Sequence, residues 1–245
     1  MTSTRIAWRQ ALMTIGLTVG GLCWGIEAGQ AQERAQDVLN NLANLSRDLK
    51  VDPPLTGRIE RCGQVNAFYS PATRHIKLCQ EWREDVRGVF NTYQYMSAAE
   101  LDHVANDGEL FVMLHEVGHG LIHVLNLPVT GREEDVADQF AVATLLHQGD
   151  AGERAIFHAA QYWTLTAAHP SWQNRNRFWD EHSVNAQRSF NLYCWLYGSN
   201  PAKYAGFVGE WWQGGYLPKH RADHCEAESA KMLESLTRLI RAAAK

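Results

Sequence analysis

With 245 residues and a formal net charge of −4, the chain is long enough for one domain with a real core. The mild acidity gives no sign of a nucleic-acid surface, and no repeat, low-complexity tract or long charge block interrupts it.

The first residues read as a targeting segment. Arg5 and Arg9 give a basic start, "ALMTIGLTVGGLCW" (11–24) is apolar and uncharged, and a small-residue site ends at Ala31. That is the order of a secretory signal, expected to be cleaved near Ala31. The apolar run is short for a membrane span, which needs about 20 residues. The alternative is an uncleaved anchor. Residues 1–31 are therefore expected to be a signal peptide and 32–245 a single domain, periplasmic or secreted, with no membrane contact after cleavage. Of five cysteines, Cys23 leaves with the signal and Cys62, Cys79, Cys194 and Cys225 remain. An even count in an exported chain points to two disulfides. Pairing neighbours within each half predicts Cys62–Cys79 and Cys194–Cys225. A four-cysteine zinc site is disfavoured, since no C-x-x-C pair exists.

Along the chain, Val38, Leu39, Leu42 and Leu45 recur at helical spacing over 32–50, before Pro53-Pro54. Residues 57–82 alternate and carry a turn signal at Ser70-Pro71, predicting a small antiparallel sheet of two or three strands. From Ser97 onward almost everything reads as helix. "SAAE" is a capping box opening a short helix, and Asn106-Asp107-Gly108 is expected to cap the next, running to about Asn126. Further helices are expected over about 132–147, 153–168, 183–197, 201–212 and 219–242. Strands followed by helices give an α+β domain, mostly helical.

The segment "MLHEVGHGLIH" (113–123) sets the chemistry. Leu110, Leu114, Leu121 and Leu125 fall on one face of this helix, with Met113 and Val124 opposite. A helix apolar nearly all round is buried, so its histidines and glutamate must find partners or cost several kcal/mol. His115 and His119 lie one turn apart and can share one ion at ~2.0–2.1 Å. Glu116 sits about 100° round from His115, beside the ion but off its coordination line, where it can take a proton from water. This is the H-E-x-x-H arrangement of zinc peptidases. The bland reading is two core histidines bonded to backbone.

A catalytic site needs a third protein ligand. The extended H-E-x-x-H-x-x-G-x-x-H form fails here, with Ile122 and Leu125 at the decisive positions. His123 lies a further turn along and reads as a core or rim histidine. "GREEDVADQFAVATLL" (131–146) is the better source, because Glu134 and Asp138 continue an apolar stripe through Ala141 and Leu145. Glu134 is the expected ligand, and Asp138 the acceptor for the free ring N–H of a ligand histidine. Glu133 and Asp135 read as a solvated acidic helix start.

The helix-Glu-x-x-x-Asp layout resembles the gluzincin branch of zincin metallopeptidases. Over most of 55–230 the chain is similar to a bacterial metallopeptidase family, a domain of unknown function. "CGQVNAFYSP", "HEVGHG", "GREEDVADQFA" and "DEHSVNAQRSFNLYCWLYGSNP" carry the resemblance. It implies a zincin-like fold and peptidase activity, but no particular substrate.

Zincins commonly hold a histidine or tyrosine that donates to the developing oxyanion. His182, next to Asp180 and Glu181, is the candidate, against a helix-terminal polar cluster. Arg188 is expected to pair with a carboxylate. Trp195, Tyr197, Trp211, Trp212 and Tyr216 read as core. "VNAFYS" (65–70) is the candidate edge strand for an extended peptide.

The expectation is an exported hydrolase with one zinc ion on His115, His119 and Glu134, Glu116 as base, and a peptide or protein substrate. The alternatives are a zinc amidase acting on cell-wall peptides, and a non-catalytic metal-binding protein.

Overall fold

The computed structural model describes residues 30–94, 96–168, 181–209 and 215–243, so nearly all of the expected signal segment lies outside the described residues. In chain order these are α1 (Gln30–Asp48), β1 (Thr56–Glu60), β2 (Ala67–Ser70), β3 (His75–Cys79), α2 (Glu81–Tyr93), α3 (Ala98–Val124), α4 (Glu133–Leu146), α5 (Asp150–Ala168), α6 (Asn185–Ser199) and α7 (Lys219–Ala243). The protein is α+β and mostly helical. No helix among the described residues is long and apolar enough to cross a membrane.

The sheet is mixed, not antiparallel as the alternation suggests. Its order is β1-β3-β2, with β1 parallel to β3 and β2 antiparallel to it. Alternation reports which face of a strand is buried and says nothing of its partner's direction. Cys79 ends β3, and its disulfide to Cys62 ties the strand to the loop after β1. The second disulfide, Cys194–Cys225, joins α6 to α7.

The metal-motif helix is one unbroken element of 27 residues, not two. Ser97 does cap it, accepting from the Glu100 amide while Glu100 accepts from the Ser97 amide. Asn106, Asp107 and Gly108 do not interrupt it, because the Asn106 Oδ1 and the Asp107 carboxylate are taken by side chains of neighbouring helices and not by the backbone of a cap. Asp107 accepts from Arg154 Nε and pairs with His158 Nδ1, each at 2.8 Å; Arg83 bonds Asn106, and reaches Glu109 at 2.9 Å. These buried carboxylates would be costly alone and are tolerated because α2 and α5 bring cations to them. Burial opposes ionisation of Asp107, yet its bonds with His158 and Arg154 hold its pKa below the ordinary value.

Two other expectations change. Residues 81–93, not read as helix from the sequence, form α2, which buries Val86, Val89 and Phe90. Of the helix expected over 201–212, the described residues 201–209 form no α-helix. The described part is a turn, a 3-10 turn at Ala205–Phe207 and a bridge from Val208 to Leu217. Phe207 packs there edge-to-face with Tyr193 and Tyr216, so aromatic packing prevails over helix propensity. Trp195 is buried and Tyr197 and Tyr216 pack on the core, whereas Trp211 and Trp212 lie outside the described residues.

One glycine sets the distance between α3 and α4. A Cβ at Gly118 would lie 3.1 Å from Ala137 Cα and Phe140 Cβ, and 3.2 Å from the Ala137 carbonyl oxygen. Gly118→Ala is therefore expected to push α4 outward, costing about 1–3 kcal/mol of stability as overpacking does. Because α4 carries Glu134, metal affinity should drop in the same variant. Thermal unfolding and zinc titration measure the two effects side by side.

Candidate metal centre

His115 is 3% exposed and Glu116 6%, as the apolar surroundings of α3 require. The ring nitrogens of the two histidines divide their work. His115 Nδ1 meets Asp138 Oδ1 at 2.8 Å, and His119 Nδ1 meets Glu133 Oε1 at 2.8 Å. With each Nδ1–H donating to a carboxylate, each Nε2 is left as a lone-pair donor.

These Nε2 atoms point to one place. They lie 3.1 Å apart; Glu134 Oε2 is 3.1 Å from that of His115 and 3.3 Å from that of His119. A tetrahedral ion bound at ~2.0–2.1 Å separates its donors by roughly 3.3 Å. The three edges match that spacing. Two imidazole lone pairs facing each other at 3.1 Å also repel unless a cation or proton lies between them. The donor set of two histidines and one glutamate is that of a catalytic zinc site, so the residues fit such an ion.

The first turn of α4 supplies more than Glu134. Asp138 is buried, with Arg188 bound across it: Nε to Oδ2 at 2.8 Å and Nη2 to Oδ1 at 2.6 Å. The Arg188 guanidinium lies over the Trp163 ring, 4.1 Å from its centroid. Burial opposes the Asp138 charge, but Arg188 and His115 hold its pKa well below the carboxylate range. Glu133 is exposed as expected, at 51% of its side chain, yet also meets His119, whereas Asp135 is partly buried and its Oδ1 accepts from Ser183 Oγ at 2.8 Å. Counting acceptors could have found Glu133, since a second ligand histidine needs one for its Nδ1–H. Asp135 leaves no such signal, because its partner is 48 positions away.

His182 is also drawn in. Its Nε2 lies 2.8 Å from Glu134 Oε2, its ring is stacked 6.1 Å from that of His115, and its side chain is 45% exposed. Asp180 lies outside the described residues. His123 stays at the rim, where its Nδ1 meets Tyr69 Oη of β2 at 2.8 Å. Glu116 makes no hydrogen bond or ion pair among the described residues. Burial raises its pKa, partly offset by His115 and His119. Glu116 is thus a buried carboxylate near two histidines and bonded to neither.

Without an ion, burial would lower the His115 pKa, but bonds to Asp138 and Glu134 raise it to about 9. Ion binding needs the neutral ring, so uptake between pH 6 and 9 must displace this proton. Zinc affinity should therefore rise with pH, roughly tenfold per unit for each proton released, and level off above pH 9. Zinc titrations at pH 6, 7 and 8 with proton release followed in weak buffer check this; affinity independent of pH would contradict it.

Neither a curated protein nor a solved structure matches the chain. A family match spans residues 25–240, almost the whole chain. The chain belongs to the family DUF4344, described as "Putative metallopeptidase".

Proposed function

We propose that the protein is an exported zinc-dependent peptidase in which His115, His119 and Glu134 hold the ion and Glu116 is the general base. The observation that carries this reading is the pair of features on α3 and α4. Three donors stand at tetrahedral spacing, and one unpaired carboxylate stands beside them. The two disulfides are compatible with export.

A zinc ion held there would supply Lewis acidity to a carbonyl and make water more acidic. The remaining work belongs to side chains. Glu116 accepts a proton as the water oxygen bonds to the scissile carbonyl carbon. It then passes that proton to the amine nitrogen as the C–N bond breaks. His182, half-exposed above Glu134, donates a hydrogen bond to the carbonyl oxygen as negative charge develops there. Asp138 and Glu133 hold the two ligand rings through their Nδ1–H groups. The edge strand β2 pairs with β3 on one side only among the described residues and leans on α3 through Tyr69 and His123. An extended peptide could add to its outer edge.

The mature chain should purify with about one zinc, and His115→Ala or His119→Ala should lose it. Glu116→Gln keeps side-chain size but removes the base. It should retain zinc while cleavage of an unstructured protein falls by ~10²–10⁴-fold. Glu134→Gln should lose metal and activity together. Elemental analysis and a cleavage assay on each variant decide the matter. Full activity in Glu116→Gln would leave a non-catalytic metal protein as the better reading.

A further inference from the structure

The first turn of α4 also grips the segment that leads into α6. Arg132 Nη1 donates to the carbonyl of His182 at 3.0 Å and lies 3.5 Å from that of Glu181. Ser183 Oγ donates to Asp135 Oδ1 at 2.8 Å, and Asn185 Nδ2 donates to Thr166 Oγ1 of α5 at 3.0 Å. Ser183 and Asn185 are buried, whereas the imidazole of His182 is 45% exposed. His182 is thus held by its own carbonyl and by the next residue, while its ring is left to face the metal centre.

These contacts are not what keeps α6 in place. Arg188 is already forked onto Asp138, and the Cys194–Cys225 disulfide ties the helix to α7. The Asp135–Ser183 bond acts on a shorter stretch. It involves a carboxylate acceptor, which makes it roughly twice as strong as a neutral bond, and it lies one residue from the imidazole. The ring of His182 meets Glu134 Oε2 at 2.8 Å, and the Asp135–Ser183 bond fixes the backbone from which that ring is presented.

We infer that Asp135, acting through Ser183 and aided by Arg132, is a positioning residue that holds the His182 imidazole over the metal site. This rests on the role given to His182 above. Asp135 touches neither the ion's ligands nor substrate. Its effect passes wholly through the backbone of residues 182 and 183.

The test uses the zinc-loaded mature chain with Asp135→Ala, Ser183→Ala and Asp135→Asn, each also combined with His182→Ala. Bound zinc, kcat and KM on an unstructured protein, and hydrogen exchange of the amides of 182–187 are measured. Zinc should stay at one ion, while kcat falls by about 10–100-fold in the two alanine variants with KM little changed. Asp135→Asn keeps an acceptor oxygen and should recover most of kcat. On the His182→Ala background, Asp135→Ala should cost less than about twofold, because the two changes remove one effect. Exchange at 182–187 should quicken in both alanine variants, with α3 unaffected. Unchanged kcat, lost zinc or an undiminished cost on the His182→Ala background overturns the inference. If the unmutated protein cleaves nothing, the peptidase reading fails on its own account. Exchange then judges the clamp separately, and unaltered protection at 182–187 in both alanine variants overturns it.

Discussion

Asp138 is a carboxylate with 2% exposure, and the site is organised around making that charge tolerable. Its Oδ1 accepts from both His115 Nδ1 and Arg188 Nη2, and its Oδ2 from Arg188 Nε. Removing Arg188 would leave an uncompensated buried charge, a cost of about 3–5 kcal/mol. The same contacts join α3, α4 and α6, and Trp163 under the guanidinium adds α5. Meeting one electrostatic requirement therefore holds four helices in register.

That requirement also shapes the metal site. The Arg188 charge cancels that of Asp138, so Glu134 carries the negative charge of the candidate His115–His119–Glu134 donor set. The Asp138 bond keeps the proton of His115 on Nδ1 and its lone pair on Nε2, and Glu133 does the same for His119 at the wetter end. Glu116 differs from all of these in having no partner among the described residues.

α3 is suited to carry these residues because it is tied to neighbouring elements along both halves. Its first half is tied by Arg83, Arg154 and His158, and its second half is pressed against α4 at Gly118 and against Leu55 at Gly120. Preorganised ligands need such a platform, since displacements of about 0.5 Å already matter. The platform has a cost. The indole N–H groups of Trp82 and Trp163 are buried without an acceptor among the described residues. The Trp163 ring faces Arg188 instead.

Much of this was legible in the residues alone. Local spacing along one helix places His115, Glu116 and His119, and the inward stripe of the next helix singles out Glu134 and Asp138. Cysteine count and order pointed to the two pairs that form, Cys62–Cys79 and Cys194–Cys225. These inferences need only helical periodicity or short separations in the chain. Others depended on partners that periodicity cannot supply. Asn106-Asp107-Gly108 looks like a cap until Arg83, Arg154 and His158 arrive from α2 and α5. Asp135 looks solvated until Ser183 reaches it, the exposed Glu133 gives no hint of its bond to His119, and the parallel pairing of β1 leaves no mark in its alternation. The sequence by itself determined which helix faces are apolar and which polar groups would need partners. Tertiary structure decided which partners they found, because ion pairs and close helix contacts form between segments whose separation along the chain carries no periodic signal.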